Sequence, residues 1–413
     1  MGATLRILLA LILGAGAGAA LRGAGADVLP LAQSIAEPVG GLWLSALRMS
    51  IVPLVFALVI TGVASASGTA RSGGLAARAL ALMVGLLVFS ALLSATLFPL
   101  LLQAFPIETA GSAALRALGP GSGEVPEAAP LAAWWQGIVP VNPVQAAAEG
   151  AMLPLVVFAL AFGFAAMRIE STARERLLGF FQAMADALLV IVQWVLAIAP
   201  VGVFALAFLL GSRTGLDAAG ALLHYVTLLV LLMAAMGLLL YPGATIAAQI
   251  GPGRFARAVL PAQAVAASTQ SSLASLPAMV TGCQQQLGVR PAVSALVLPL
   301  AVSVFRFSSP GVNLAVALYG AHLYGVDVGL FPMLGAMAVA VLGSMASVSL
   351  PGQLTFYTTA TPIWLVLGLP LDLLPLLLAV EAIPDIFRTV VNVTADVAVT
   401  AVVDRRMGGG ADG

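Results

Sequence analysis

The last long apolar segment of the chain, residues 371–406, is interrupted by polar residues at regular intervals. Those residues are Glu381, Asp385, Arg388, Thr389, Asn392 and Asp396. Counted from Asp385, the later ones follow at three, four, seven and eleven positions. At about 100° per residue, these spacings fall within about 60° of one line down a helix, and Glu381 joins that line one turn earlier. The pattern predicts an apolar helix with a single polar stripe.

Such a stripe is costly in a membrane. An ionisable residue at mid-membrane costs at least about 3 kcal/mol on insertion scales, so these residues usually face a cavity or a partner. The stripe therefore indicates a binding wall for a charged ligand. The alternative is an Asp–Arg pair that only stabilises helix packing. Thr389 and Asn392 favour the binding wall, because they extend the stripe with uncharged hydrogen-bonding groups.

The rest of the chain predicts an all-α, multi-pass membrane protein. Of its 413 residues 61% are hydrophobic and 8% charged, whereas a soluble domain averages about 25% charged residues. The chain shows no sustained period-two alternation of apolar and polar residues, so a strand barrel is not predicted. Residues 106–130 have the composition of an extramembrane loop. Segments long enough to span lie near 5–21, 40–64, 75–104, 130–167, 177–211 and 218–250.

Charge and cysteine content limit the possible partners. The formal net charge is zero, so nucleic acid is not expected as a partner, whereas the lipid bilayer is. The single Cys283 and two histidines predict no disulfide framework, metal cluster or cofactor. Arginines concentrate in alternate loops, which predicts that both termini are cytoplasmic. Neither HExxH nor GxSxG occurs, so an enzyme is not expected.

Two segments of the second half, residues 260–277 and 338–359, have Ser-rich centres between short apolar flanks. They predict two re-entrant hairpins, since non-helical backbone at membrane depth needs protein or a watery cavity around it. Interrupted segments in matching positions of two repeats are typical of a transport site. Two ordinary spans with loosely packed small residues are the alternative. Between them, residues 292–325 form a span that Pro310 and its following glycine are expected to break.

Several motifs resemble one known family. DIFRTVVNVTAD is close to the signature D-x-x-R-T-x-x-N-V-x-x-D of the last helix of the glutamate transporters, the dicarboxylate/amino acid:cation symporters. SSLASLP is similar to the serine-rich tip of their first hairpin, and LRMSIVPLVFALVITGVAS resembles their second helix. The similarity extends over nearly the whole chain. It identifies a divergent prokaryotic member that resembles archaeal aspartate transporters.

The resemblance implies an architecture of about eight membrane helices and two hairpins in inverted repeats, assembled as a homotrimer in the cytoplasmic (inner) membrane. A mobile transport domain would move against a fixed scaffold, as an elevator. The implied divisions are scaffold helices 1 and 2 at 1–74, helix 3 of the transport domain at 75–105, the loop with scaffold helices 4 and 5 and transport helix 6 (about 218–250) at 106–250, and the transport core at 251–413. Within that core, the implied elements are the first hairpin at about 254–288, broken helix 7 at about 292–325, the second hairpin at about 330–368 and helix 8 at about 371–406.

The resemblance also implies roles for individual residues. Arg388 would grip the side-chain carboxylate of the substrate, and Asp385 would hold its α-ammonium group. Further substrate contacts are implied for Thr389, Asn392, Ser271, Ser272, Ser309, Leu350 and Gly352. A cation site beside an anion site fits aspartate or glutamate better than a plain dicarboxylate.

The chain departs from the family in helix 7, where the sodium-binding motif N-M-D-G-T is replaced by Phe305–Ser309. Phenylalanine offers no side-chain oxygen to sodium. Arg306 stands where the family has methionine, and its guanidinium stays protonated in proteins. We therefore expect Arg306 to act as a built-in cation that neutralises Asp396, with Asn392 and Ser303 in the same site. Alternatively, Arg306 compensates for Gln270, where many relatives have arginine.

These features favour a secondary active transporter of acidic amino acids that is independent of sodium. A proton is favoured over sodium as the coupling ion, and Glu381 and Asp385 are its candidate carriers. His224 and Cys283 are interpreted as packing residues. The alternatives are a sodium-coupled symporter, a C4-dicarboxylate carrier, an uncoupled exchanger and an anion channel.

Overall fold

The computed structural model describes residues 3–24, 27–71, 74–107, 139–149, 151–214, 217–346 and 352–408. All regular secondary structure in these ranges is helical, as the composition predicts. The predicted loop 106–130 lies almost wholly outside them. The α-helices are α1 (Ala3–Gly23), α2 (Leu29–Arg48), α3 (Ile51–Arg71), α4 (Gly74–Ala104), α5 (Pro143–Ala148), α6 (Met152–Ala166), α7 (Ser171–Ala197), α8 (Ala199–Thr214), α9 (Asp217–Ala248), α10 (Pro252–Thr269), α11 (Ser272–Thr281), α12 (Pro291–Val304), α13 (Ser308–Tyr324), α14 (Leu330–Ala346), α15 (Gly352–Val366), α16 (Leu374–Val380) and α17 (Ala382–Gly408).

Five stretches of the described chain are long and apolar enough to cross a membrane. They are Gly74–Ala104, Ser171–Val195, Gly220–Ala248, Pro291–Tyr324 and Ala382–Arg405. Six shorter apolar helical stretches, among them Val52–Ala64 and Ala199–Arg213, accompany them. The fold is that of an integral membrane protein, and the number of eight spans stays a prediction.

Prolines divide three segments that the sequence suggested as continuous. Segment 40–64 is split between α2 and α3, segment 177–211 between α7 and α8, and segment 371–406 between α16 and α17. Each second helix carries a proline in its first turn: Pro53, Pro200 and Pro384. Proline has no N–H to give to the carbonyl four residues earlier, so the preceding helix ends there. In the last case the division leaves Glu381 at the joint between two helices.

Small residues allow α1 to pack closely against α8. A Cβ on Gly18 would collide with the carbonyl oxygen of Phe208, and one on Gly211 would collide with that of Ala15. The two backbones therefore touch through positions that only glycine tolerates, which is a common way to pack helices in membranes.

The polar core lies between α13 and α17. Residues 308–321 of α13 and residues 391–403 of α17 are buried without exception. Helix α4 covers α13, and α9, α10 and α12 pack against α17. Gly311 lies so close to α4 that its N–H donates to Ser90 Oγ at 3.3 Å. Several polar side chains therefore lie in the best-shielded part of the fold.

Candidate functional site

The polar stripe of the last helix lies inside the protein. Arg388, Thr389 and Asn392 are each at most 8% exposed, Glu381 is 1% exposed and Asp396 is fully buried. Asp385 is half-buried. Since ionised groups are rarely buried without partners, the contacts of this set decide what the site can do.

Arg388 is held on two sides. Its Nε lies 2.7 Å from Glu381 Oε1, and its Nη1 donates to Asn313 Oδ1 at 2.9 Å. The third nitrogen, Nη2, has no hydrogen-bond partner within the described part of the chain. The contact with Glu381 is an ion pair without hydrogen-bond geometry. Neither carboxylate oxygen of Glu381 nor Nε of Arg388 has a hydrogen-bond partner among the described residues. The guanidinium therefore has donor capacity left for a ligand.

Asn313 connects Arg388 to the segment predicted as the second hairpin. Its amide nitrogen donates to Ser309 Oγ at 3.0 Å and to Thr359 Oγ1 at 2.5 Å. Thr359 belongs to α15, so the network joins α13, α15 and α17. Asn313 links Ser309 to Arg388 by hydrogen bonds to both. Of the tip of this segment, Leu350 lies outside the described residues and Gly352 is the first residue of α15.

Asn392 fixes the break in the predicted helix 7. Its Oδ1 accepts from the backbone N–H of Ser308 at 2.8 Å and from Ser308 Oγ at 3.0 Å. Ser308 opens α13, so Asn392 acts as a helix cap supplied by another helix. The side-chain oxygen of Asn392 already accepts these two bonds, so its amide nitrogen is the atom left to contact a ligand.

The Ser-rich turn between α10 and α11 has the form of a helix start. Ser271 caps α11 by accepting from the N–H of Ala274 at 3.2 Å, and Ser272 is the first helical residue. Gln270 adopts the left-handed conformation (φ 53°). Its side-chain amide donates to the carbonyl of Ala382, the first residue of α17, at 3.1 Å. This turn therefore lies at the N-terminal end of the helix that carries Asp385 and Arg388.

Arg306 lies in the non-helical break between α12 and α13. The flanking Phe305 and Phe307 are both 1% exposed, and Arg306 is half-buried. The charges of Asp385 and Asp396 both act on its guanidinium. Neither carboxylate oxygen of Asp396 has a hydrogen-bond partner in the described ranges. The hydroxyl of Ser303 donates to Pro299 within its own helix at 2.7 Å, so nothing in its contacts directs it to Asp396.

Sequence reasoning missed Asn313, Ser308 and Thr359 as partners of the stripe. All three are polar residues in apolar helices, which was a usable signal. Their partners are 46 to 84 positions away in the chain, so periodicity within one helix could not pair them. Among the described residues, no three His, Cys, Asp or Glu side chains lie together in a group that could hold a metal ion.

Comparisons with known proteins agree with this picture. The sequence profile of the sodium:dicarboxylate symporter family matches residues 3–406. The C4-dicarboxylate transport protein of Deinococcus radiodurans is 26% identical, over 97% of this chain and 88% of its own. The proton/sodium-glutamate symport protein of Bacillus caldotenax is 24% identical, over 95% of this chain and 91% of its own.

A third relative, the proton/glutamate-aspartate symporter of Escherichia coli, is 22% identical over 90% of this chain and 85% of its own. The resemblance inferred from the last-helix motif is thereby confirmed. These proteins are transporters rather than enzymes by name, and their substrates are small carboxylates. From its family profile and its apolar helical fold, the chain belongs to the sodium:dicarboxylate symporter family of integral membrane transporters.

Proposed function

We propose that this protein carries acidic amino acids, aspartate or glutamate, across the cytoplasmic membrane without sodium, and that a proton is the coupling ion. The observation that carries the proposal is the buried guanidinium of Arg388, whose Nη2 has no hydrogen-bond partner in the described part of the chain. A planar guanidinium with spare donors suits two-point contact with a carboxylate.

Asp385 supports an amino acid over a plain dicarboxylate. It lies one turn before Arg388 on α17 and is half-buried, so its carboxylate is available to an ammonium group. Its backbone carbonyl accepts from Thr389 Oγ1 at 2.8 Å, so the side chain stays free of that bond. A C4-dicarboxylate would bring a second negative charge towards Asp385. It is the second candidate because the Deinococcus radiodurans relative is named for such substrates.

Arg306 supports independence from sodium. Sodium sites in proteins need several oxygen ligands, and Phe305 and Phe307 provide none from their side chains. Asp396 is buried, and Arg306 is the cation whose charge acts on it. A buried carboxylate without a cation is strongly unfavourable. The guanidinium supplies, as part of the chain, the positive charge that a bound ion would otherwise bring.

Glu381 supports proton coupling. It occupies Nε of Arg388, and Asn313 occupies Nη1. Nη1 carries a second N–H and Nη2 has no partner among the described residues, so a substrate carboxylate in two-point contact with these nitrogens would share the guanidinium with Glu381. Two carboxylates sharing one guanidinium in a shielded site repel each other, which favours a proton on one of them. Entry of the substrate carboxylate beside Glu381 thus couples substrate binding to proton uptake.

The remaining features of the transport mechanism are carried over as proposals. The homotrimer, the elevator movement of the transport domain and the second hairpin as a gate are typical of the family. Cytoplasmic termini follow from the arginines in alternate loops. The hairpin-tip residues Ser271, Ser272, Leu350 and Gly352 are proposed contacts for the α-carboxylate.

The test is uptake of labelled aspartate into proteoliposomes, with sodium or choline outside and with or without an inward proton gradient. We expect uptake in choline that rises with the proton gradient, because no sodium site is needed. Excess unlabelled aspartate should compete strongly and succinate weakly. Arg388→Ala should reduce binding by about 2–5 kcal/mol, since it removes the anion partner and leaves Glu381 unpaired.

Arg290→Ala is the matched control. Arg290 pairs with Asp404 at 2.7 Å but is about half exposed, so its loss should change little. Uptake only in sodium would overturn the ion assignment. Preference for succinate would replace the amino acid with the dicarboxylate, and unchanged aspartate affinity in Arg388→Ala would overturn the substrate site.

A further inference from the structure

Asn313 is a buried amide whose side-chain oxygen and nitrogen are both engaged. It lies on α13 and is fully buried. Its Oδ1 accepts from Arg388 Nη1 at 2.9 Å. Its amide nitrogen donates to Ser309 Oγ at 3.0 Å and to Thr359 Oγ1 at 2.5 Å, and both of these partners are 2% exposed. A shielded polar group with its bonds made on both sides is held in one orientation.

The chemical nature of the partners determines which way this amide points. A guanidinium has donors and no acceptor, so only the oxygen of Asn313 can bind Nη1 of Arg388. The amide nitrogen must then face the two hydroxyl oxygens. In the reversed amide, an NH₂ group would meet the guanidinium, and neither could accept from the other. The direction of the amide therefore follows from the kinds of group around it.

The partners that hold Asn313 lie on two helices that do not carry Arg388. Ser309 lies one turn earlier on α13, and Thr359 lies on α15, 46 positions further along the chain. A rotation of the Asn313 side chain would break both bonds and leave buried groups without partners, which is costly. The position of Nη1 of Arg388 is thus set by α13 and α15 and not only by its own helix, α17.

The other end of the guanidinium is held by Glu381, whose Oε1 lies 2.7 Å from Nε of Arg388. With Nε and Nη1 both held, the planar group leaves one place for Nη2. That nitrogen is buried and has no hydrogen-bond partner in the part of the chain that the structure describes. Buried donors without partners are rare in folded proteins and call for an explanation. A ligand that accepts from Nη2 provides one.

The two groups that hold Arg388 differ in charge. Glu381 is an acid, whereas Asn313 is a neutral amide with nearly the shape of an aspartate. An aspartate at this position could also accept from Nη1, but it would bring a second carboxylate to the guanidinium. A ligand carboxylate would then be the third anion beside one cation, and like charges in a shielded site repel each other. The amide of Asn313 orients the cation without neutralising it.

We propose that Asn313 is the positioning residue that makes Arg388 selective for an anionic substrate group. It holds the guanidinium by Nη1, so that Nη2 is directed to the substrate. Its lack of charge leaves the positive charge of Arg388 to the substrate carboxylate. The inference rests on the proposed substrate role of Arg388 and adds the residue that sets the orientation and the charge of that site.

The experiment measures selectivity as the ratio of the affinities for aspartate and asparagine, by calorimetry on the purified protein without sodium. The two ligands have nearly the same shape and differ in the charge of the side-chain group, so the ratio reports on the guanidinium. A variant that only damages the fold weakens both ligands together and leaves the ratio unchanged.

Two variants make the same chemical exchange at different places. Asn313→Asp adds a negative charge beside Arg388 at nearly constant shape. Gln284→Glu is the matched control, because Gln284 is a half-buried amide that also donates to a serine hydroxyl, Ser294 Oγ at 2.8 Å. We expect Asn313→Asp to lower the ratio at least about tenfold, since the new carboxylate competes for the guanidinium. Gln284→Glu should leave the ratio within about twofold of the wild type.

The possible failures are distinguishable. A wild-type protein that prefers aspartate, and loses that preference in Arg388→Ala but keeps it in a folded Asn313→Asp protein, would overturn this inference alone. A wild-type protein without that preference, or an Arg388→Ala protein that retains it, would overturn the inference together with the proposed substrate site.

A double-mutant cycle tests the hold on Asn313 with milder changes. Thr359→Val removes one of its hydroxyl partners. Thr361→Val is the control, because Thr361 is also buried on α15 but donates to the carbonyl of Tyr357 in the same helix at 2.7 Å. We expect aspartate affinity to fall about three- to tenfold in Thr359→Val and less than about twofold in Thr361→Val.

In the Asn313→Leu background, Thr359→Val should cause no further loss of aspartate affinity, because its hydroxyl acts through the amide that is already absent. Equal losses with and without the amide would mean that Thr359 acts on the site independently. That result would overturn the role of Asn313 as the link between α15 and Arg388.

Discussion

Arg388, which is buried, and Arg306, which is half-buried, are two arginines for which we propose opposite uses. Arg388 lies on a regular helix, with Glu381 and Asn313 on two sides of its guanidinium and Nη2 open within the described structure. Arg306 lies in a break between helices, flanked by two buried phenylalanines, with Asp385 and Asp396 acting on its charge. In the proposed function, the first geometry offers a cation to a ligand, and the second gives a cation to the protein itself.

The difference teaches how an ion site can be replaced. A bound ion neutralises a buried carboxylate only while it is bound, so its gradient can drive a cycle. A guanidinium is covalently attached and does not leave. If Arg306 neutralises Asp396 in every state, that site no longer couples transport to a gradient, and the coupling must come from a group whose charge changes. Glu381 is in the position to do so.

The largest effect should come from removing the fixed cation. Arg306→Met leaves Asp396 buried without its cation, and breaking such a pair costs about 3–5 kcal/mol. We expect a large fall in the thermal midpoint of the ligand-free protein. Adding Asp396→Asn in the same chain should restore most of it, because the uncompensated charge is removed.

Arg290→Met, at an exposed ion pair, is the control and should cost about 1 kcal/mol or less. The two interpretations of Arg306 are separated by Gln270→Arg in the Arg306→Met background. Full recovery there, without a change at Asp396, would mean that Arg306 supplies general positive potential and not a partner for one carboxylate.

A smaller effect is expected at the carboxylate that competes with the substrate. Glu381→Gln cannot lose a proton and cannot pair as an anion with Arg388. Aspartate affinity in alkali should rise on the order of tenfold, since a charged contact worth about 1.5–3 kcal/mol no longer competes. Binding measured across pH should become flat, and a proton gradient should no longer produce accumulation.

Glu149→Gln, an exposed carboxylate that accepts from Gln145 at 2.7 Å, is the control for a lost negative charge. If Glu381→Gln binds aspartate with the same pH dependence as the wild type, the proton carrier is another group, and Asp385 is the next to test.

The smallest effect is expected at the turn between α10 and α11. Gln270→Ala removes one hydrogen bond, to the carbonyl of Ala382 at 3.1 Å, which is worth about 1 kcal/mol. Aspartate affinity measured by calorimetry should fall by a few fold at most. A loss as large as that of Arg388→Ala would mean that the turn holds the substrate directly through its side chain. Ser268→Ala is the neighbouring control, because Ser268 lies next to this turn and its hydroxyl donates to the carbonyl of Val265 within α10.

The sequence predicted much of one side of the site. The spacing of Asp385, Arg388 and Asn392 puts them on one helix face, and a polar face in an apolar helix has few places to go but the protein interior. A break in this span was predicted at Pro310 and the glycine after it, but both lie in the first turn of α13, and the non-helical stretch comes earlier, at residues 305–307. The joint at Glu381 was not predicted, although Pro384 contained the information.

The other side of the site could not be read from the sequence. Asn313 contacts both Arg388 and Thr359, which lie on two other helices. The periodicity of a single helix does not show which neighbouring helix its polar residues face. The same holds for His224, which the sequence suggested as a packing residue and which contacts Tyr319, 95 positions away. Local pattern gives the polarity of a face, and tertiary packing decides its partner.

The Arg388–Glu381 ion pair has a consequence for the energetics of the membrane. If one proton joins Glu381 for each singly charged acidic amino acid, the loaded transport domain carries the same net charge as the empty one. The crossing then moves no net charge, so the voltage across the membrane neither helps nor opposes it. Accumulation would follow the difference in pH alone, and the protein would work equally well in a depolarised cell.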